Sequence, residues 1–181
     1  GEATQAASEP SICVRLKRGG GLKAKDGHIS REKAATNFGA SAFALSGASS
    51  TGPADPFYAL FEFSTATIPS SATVVSATVA LHQTNNGATT VNARLITAPW
   101  DEATVTWASF GGAFSNTVFK SFSTANASVV FNVAPQVQAW IDGSMPNHGF
   151  LLEQGGPSQT KYKAQEYAVS NLRPVLNLCY K

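Results

Sequence analysis

The chain has 181 residues, a length that suits one domain with a single sizeable core. Charged residues make up only 13% of it, about half the share in an average soluble domain, and small polar residues must do much of the solvation. This favours strands with one wet face over Glu- and Lys-rich helices, and the net charge of +2, without a nucleic-acid-binding motif, disfavours nucleic acid as a partner. No run of about 18 apolar residues is present, so we expect no membrane insertion.

The first ten residues are polar and alanine-rich and are interpreted as an N-terminal arm (1–10) in front of a single domain (11–181). Ile12, Val14 and Leu16 then alternate with polar or small residues, which indicates the first strand. Glycines at 19–21 end it. One interpretation is that this arm pairs with another copy of the chain.

Nine further strands are predicted where alternating or apolar runs are bounded by Gly, Pro and Asn. An Asn85-Asn86-Gly87 turn predicts a hairpin between two of them, and residues 135–141 predict a short helix that begins at Pro135. The expected fold is an all-β, antiparallel jelly-roll-like β-sandwich of about ten strands with one short helix. The nine strands are predicted at 41–46, 57–63, 73–82, 90–97, 117–123, 128–133, 149–153, 161–167 and 175–180.

The two cysteines, Cys13 and Cys179, lie in the first and last predicted strands. If those strands are neighbours, a disulfide between them is geometrically easy, and it would indicate an extracellular protein. The alternative is two unrelated buried thiols.

No enzyme, cofactor or metal is expected. Asp101 and Glu102 are adjacent, and neighbours on an extended chain point to opposite faces, whereas glycosidases need two carboxyls that face one bond. No Gly-x-Ser-x-Gly nucleophile motif exists. The three histidines are scattered and, with two cysteines, show no metal-ligand spacing: they are His28, His82 and His148.

Several motifs follow one another in an order typical of a known family. They are TNFG (36–39), ALFEFS (59–64) running to Ile68-Pro69, VSATVAL (75–81), APWDEATVTW (98–107), FNVA (131–134), NHGFLL (147–152) and RPVL (173–176). In these segments the chain resembles the DNRLRE domain, an extracellular bacterial and archaeal β-sandwich module related to carbohydrate-binding modules, some of which bind alginate. The resemblance implies a jelly-roll-like sandwich. This chain has Tyr58, Glu62 and Gln165 where the family usually has arginines.

Seven of the thirteen Lys and Arg residues lie between Arg15 and Lys33, and this basic segment is a candidate surface for an anionic polysaccharide, a cell surface or a neighbouring subunit. The alternative is a solvated loop and strand face. Trp100 and Trp107 are either sugar-stacking platforms or, as the motif favours, packed side chains. The candidate ligand-binding residues are Arg15, Lys17, Lys23, Lys25, Lys161, Tyr162 and Lys163.

Asn126-Ala127-Ser128 fits a glycosylation sequon, with Asn126 as the acceptor in a surface turn. Together these features predict a secreted, non-catalytic adhesion module that binds carbohydrate or extracellular matrix. The alternative function is a structural subunit of an extracellular fibre or surface filament, assembled through the N-terminal arm.

Overall fold

The computed structural model describes residues 9–19 and 24–181, and it contains eleven strands, two short α-helices and one 3₁₀ helix. Most of the predicted arm lies outside the described residues. Within them, no helix is long and apolar enough to cross a membrane. The strands are β1 (Ile12–Leu16), β2 (Ala24–Ser30), β3 (Phe43–Ser49), β4 (Gly52–Phe63), β5 (Val74–Asn85), β6 (Thr90–Ile96), β7 (Phe114–Ser123), β8 (Ser128–Asn132), β9 (Phe150–Glu153), β10 (Gln159–Lys163) and β11 (Val175–Tyr180). The helices are α1 (Trp107–Phe110), α2 (Ala134–Ile141) and the 3₁₀ turn Ser170–Leu172.

All pairings between these strands are antiparallel, and the strands form two layers. The first layer has the order β1-β11-β5-β8, and the second has the order β2-β4-β9-β6-β7. Strands β10 and β3 join the layers at one side, because β10 pairs with both β5 and β3, and β3 pairs with β4. The predicted antiparallel β-sandwich is confirmed.

The inner faces of the two layers pack against each other in the main core, where Phe150 of the second layer is central. Its ring lies 5.6 Å from that of Phe61 on the neighbouring strand and 5.8 Å, edge to face, from that of Phe131 in the first layer. Such pairs add to the large apolar area that aromatic side chains bury. The alternating residues Leu176 and Leu178 of β11 complete the first layer's contribution.

Strand β2 and helix α1 were not predicted. The sequence of β2, AKDGHIS, has few apolar residues, yet Asp26, His28 and Ser30 are all buried in it. Hydrophobic periodicity cannot reveal a strand whose buried side chains are polar. Helix α1 is a single turn with a capping box between Thr106 and Ser109, which is also too short for a periodic signal.

The predicted hairpin between β5 and β6 is wrong. The described part of β5 pairs with β8, β10 and β11, whereas β6 pairs with β7 and β9. The turn after β5 therefore carries the chain from one layer to the other. Asn85 stabilises it locally, because its Oδ1 accepts a hydrogen bond from Gly87 N and its Nδ2 donates to Thr124 O.

The predicted disulfide between Cys13 and Cys179 is confirmed. Strands β1 and β11 are neighbours, and the two cysteines face each other directly in the register. The bridge spans a sequence separation of 166 residues.

We predict that the double variant Cys13→Ser/Cys179→Ser loses about 4 to 5 kcal/mol of unfolding free energy, because opening so long a loop restores entropy to the unfolded chain. Denaturant titration measures the difference. As a control, reductant should bring the unmodified protein to the level of the variant and leave the variant unchanged. Two free thiols in the intact mass of the non-reduced protein would contradict the prediction.

Candidate functional site

A long connection between β6 and β7, residues 97–113, lies across the outer face of the second layer, and we call it the cover loop. From below, the sheet contributes Ile29, Leu60, Ile96 and Leu151. From above, the loop contributes Trp100, Val105 and Phe110, all of which are buried. The two sets form a second, smaller core, so this face of the sandwich is sealed along its middle and open at either end of the loop.

The predicted TNFG motif holds the cover loop in place. Asn37 Nδ2 donates hydrogen bonds to Glu102 O at 2.9 Å and to Val105 O at 2.8 Å, and Asn37 Oδ1 accepts one from Gly39 N. A Cβ at Gly39 would lie only 1.8 Å from Glu102 O. Only glycine permits so close an approach of the two backbones.

Trp100 packs as the motif favours. It is 8% exposed, and its indole Nε1 donates to His148 O at 3.0 Å. Lys25 lies over the ring, 4.5 Å from its centroid, and donates to Trp100 O. Trp140 is equally buried, on α2. Neither indole offers a face to a sugar.

Lys25 borders a small polar pocket at one end of the cover loop. Its ammonium lies 3.1 Å from the carboxylate of Glu62 on β4. Ser64, Asp101 and Glu102 complete a pocket of about 280 Å³. The positive charge of Lys25 is therefore largely matched within the protein.

Four charged side chains from distant parts of the chain meet beside this pocket: Arg18, Asp26, Glu102 and Glu166. The Arg18 guanidinium pairs with Glu102 at 2.5 Å and with Glu166. Carboxylate oxygens of the three acids lie within 4.8 Å of one another, a set of hard ligands of the kind that cations such as Ca²⁺ prefer. Arg18 already supplies a positive charge to two of them. Asp101 Oδ1 accepts a hydrogen bond from Ala103 N within the loop.

Asp26 is the buried member of this group, with 1% of its surface exposed. Its Oδ2 accepts a hydrogen bond from Gln165 N at 2.9 Å, while Oδ1 has no hydrogen-bond partner among the described residues. Burial raises the pKa of Asp26 to about 7, and the negative charge of Glu102 acts in the same direction, against the Gln165 hydrogen bond and Arg18. The carboxyl is therefore partly protonated near neutral pH.

Gln165 is the residue that brings these segments together. It is 1% exposed, and its Oε1 accepts from Arg18 N at 3.0 Å while its Nε2 donates to Pro174 O at 2.9 Å. With the bond to Asp26, one side chain and its own backbone amide join two regions that are far apart in sequence, residues 18–26 and 165–174. The glutamine therefore links the segment after β1 to the segment before β11.

Partly exposed basic residues lie close in the chain to the positions that Gln165 joins, and we call Lys17, Lys163, Arg173 and the partly exposed Tyr167 the basic patch. Lys163 Nζ lies 5.4 Å from the centroid of the Tyr167 ring, and Arg173 Nε donates to Tyr167 O at 2.7 Å. Lys17 precedes Arg18, whose amide contacts Gln165. None of the three cations forms an ion pair with any residue in the described ranges.

The structure separates the other predicted ligand-binding residues. Tyr162 is fully buried, with its hydroxyl 3.0 Å from Ser46 Oγ, so it presents no surface to a ligand. Lys161 lies in a different groove, beside Asn85 and Asn86. Arg15 is exposed on β1, and Lys23 lies outside the described residues. Asn126, the predicted glycosylation acceptor, is exposed in the turn before β8.

The charge asymmetry seen in the sequence is partly cancelled by acids from elsewhere in the chain. Within the basic segment, Arg18 and Lys25 have the partners described above, and Arg31 lies 3.8 Å from Asp55. A cation that is paired with an acid attracts an anionic ligand less strongly. The basic segment is therefore less positive in the structure than the sequence alone indicates. Among the cations that remain without an ion pair in the described segments are Lys17 and Lys163, which the sequence indicates as candidates, and Arg173, which it does not.

We predict that Asp26→Asn flattens the dependence of stability on pH. The folded pKa of about 7 lies above the ordinary value of 3.8, so the stability that Asp26 contributes is full below pH 4 and is lost as the pH rises through 7. Removing the charge should stabilise the protein at pH 8 relative to pH 4 by on the order of 4 kcal/mol, measured by denaturant titration.

The matched control is Asp55→Asn, which removes an exposed carboxylate and should keep the pH slope of the unmodified protein. His28 is also buried, and burial lowers the pKa of His28 to about 4. Its effect is the same in all three proteins and cancels in the comparison. Equal pH slopes in Asp26→Asn and the unmodified protein would contradict the assignment.

Comparison with known families connects this geometry to a class of proteins. The model of carbohydrate-binding module family 96 matches residues 22–180, from the segment before β2 to the end of β11. The match includes the cover loop, Asn37 and Gln165. A comparison with curated proteins finds no match. The relation to carbohydrate-binding modules that the motifs indicate is confirmed, and the chain belongs to carbohydrate-binding module family 96.

Proposed function

We propose that this protein is an extracellular, non-catalytic module that binds an acidic polysaccharide through the basic patch, and that this binding serves adhesion. The observation that carries the proposal is a group of three partly exposed cations, one of them over the ring of Tyr167, each without an ion pair in the described structure, in a member of a carbohydrate-binding family. The disulfide supports the compartment, since such bridges persist in oxidising environments.

The chemistry of the patch suits a polymer of uronic acids. Ammonium and guanidinium groups bind carboxylates by charge-assisted hydrogen bonds, and the planar guanidinium of Arg173 can do so with two parallel bonds. The face of Tyr167 offers an apolar surface for a sugar ring. Within the described residues, none of the three cations is paired with an acid of the protein. The cations and the Tyr167 ring therefore remain available for a ligand.

We predict that affinity electrophoresis in gels containing alginate or polygalacturonate retards the protein, and that gels containing uncharged dextran do not. The triple variant Lys17→Gln/Lys163→Gln/Arg173→Gln should bind at least tenfold more weakly, because three partly exposed charge contacts together contribute about 1.5 kcal/mol. Added salt should weaken binding of the unmodified protein, since it screens exposed charges.

The control variant Lys33→Gln/Lys120→Gln/Lys181→Gln removes the same charge elsewhere and should retain binding. Arg15→Gln/Lys161→Gln tests the remaining sites that the sequence indicates. If the patch variant and the control variant lose the same affinity, binding depends on the total charge of the protein and not on the basic patch. If neither acidic polymer retards the protein, acidic-polysaccharide binding is refuted.

The alternative proposal is a subunit of an extracellular fibre. The N-terminal arm leads into β1, and in the described structure β1 pairs only with β11, so its outer edge is open to an added strand. If the arm mediates assembly, deletion of residues 1–10 should convert sedimenting polymers into monomers in analytical ultracentrifugation. Full-length protein that stays monomeric at high concentration would exclude it.

A further inference from the structure

At the other end of the cover loop, the outer face of the second layer opens into a cleft lined by aromatic side chains. Tyr58 of β4 and Trp107 of α1 have ring centroids 4.9 Å apart, and Phe114 of β7 lies edge to face with Tyr58 at 5.7 Å. With Ile29 as floor, the cleft encloses about 410 Å³. We call it the aromatic cleft.

The backbone keeps this cleft open. Helix α1 ends at Gly111, and both Gly111 and Gly112 have positive φ, at 63° and 70°. At Gly112, no atom lies within 4 Å of the place a Cβ would occupy, so the wall on this side has backbone without a side chain. Ala108 is exposed and presents only a methyl group. Small residues therefore line the side that faces Trp107.

Polar side chains adjoin the aromatic rings on the same outer face of the sheet. Arg94 Nε lies 3.2 Å from Glu153 Oε1, and Asn92 Nδ2 donates to the same oxygen at 3.1 Å. The alternation of β4, β9 and β6 directs Tyr58, Glu153 and Arg94 to one face, because their inward-facing neighbours Ala59, Leu152 and Ala93 are buried in the main core. Tyr58 is close enough to these groups for Glu153 and Arg94 to act on its pKa in opposite directions.

We propose that the aromatic cleft is a second carbohydrate subsite, which binds an uncharged pyranose ring. The apolar C–H face of a pyranose packs on aromatic rings, and its hydroxyls can accept hydrogen bonds from Arg94 and Asn92 and donate to Glu153. Because Arg94 and Glu153 neutralise each other, the cleft favours a neutral sugar over a uronate. This distinguishes it from the basic patch.

The inference rests on the proposed function in one respect only, namely that the ligand is a carbohydrate. The aromatic cleft and the basic patch are formed by different residues. The cleft favours an uncharged sugar, and the patch favours an acidic one. A heteropolysaccharide with both acidic and neutral units would engage the two subsites together, and the combined affinity would then exceed that of either subsite alone.

The test uses the full chain and a panel of cellohexaose, xylohexaose and mannohexaose, followed by ¹⁵N NMR of the three indole groups. At least one hexaose at about 10 mM should move the Trp107 signal in a saturable way. The signals of Trp100 and Trp140 should stay in place, because both rings are buried and the Trp100 indole is bonded to His148 O.

Two variants locate the binding. Trp107→Ala removes the aromatic wall, and Ala108→Gln fills the cleft without changing a core residue; each should weaken hexaose binding at least tenfold. The control is Ala103→Gln, which adds the same side chain to an exposed position near the opposite end of the cover loop. It should bind as the unmodified protein does. Equal thermal stability of Ala108→Gln and Ala103→Gln separates a local effect from misfolding.

If none of the three hexaoses moves the Trp107 signal, in a protein that still binds alginate, this inference is overturned. The proposal for the basic patch then stands. A Trp107 signal that moves with protein concentration instead of hexaose would assign the cleft to a second copy of the chain and also overturn it. Retained hexaose binding in Ala108→Gln would place the sugar elsewhere and do the same.

Discussion

The packing of the cover loop on the outer face of the second layer determines which openings the surface of this protein has. A sandwich needs only its inner faces to be apolar, and the outer face of an antiparallel sheet normally meets water. Here Leu60 and Leu151 make the middle of the outer face apolar, and Trp100, Val105 and Phe110 cover it. The loop thereby divides one sheet face into two separate openings with different chemistry, polar and charged at one end and aromatic at the other.

The attachment of the loop at the charged end uses buried polar groups instead of apolar ones. Asn37 satisfies two loop carbonyls, and Glu102 accepts from Asp26 N at 2.8 Å while it pairs with Arg18. A network of this kind stabilises only when its members are satisfied together. Asp26 is not fully satisfied, since one of its oxygens has no partner among the described residues, and its burial is the main cause of its raised pKa.

Much of the fold followed from local patterns, because strands β4, β5, β6 and β11 carry apolar residues in alternation or in continuous runs. The disulfide followed from the placement of Cys13 and Cys179 in strands at opposite ends of the chain. Strand β2 could not be predicted from the sequence pattern, because polar Asp26 and His28 fill its buried positions. The predicted hairpin is wrong because an Asn-Gly turn indicates that the chain reverses direction. It does not indicate which strands pair afterwards.

The sites were harder to predict than the fold for a related reason. Gln165 joins positions 18, 26 and 174, and nothing in a linear pattern marks a buried glutamine as the point where they meet. Lys161, Tyr162 and Lys163 look equivalent in sequence. The pleat of β10 turns Tyr162 into the core and leaves the two lysines on the outer side, where one borders Tyr167 and the other a distant groove.

The bridge between the outermost strand and its neighbour also determines how the module responds to force. A pull applied to the chain outside Cys13 and Cys179 passes through the sulfur atoms, because the two cysteines lie side by side in β1 and β11. The residues between them carry no tension. Both surface openings and the hydrogen bonds that shape them are thus mechanically isolated from a pull applied to the chain outside the two cysteines.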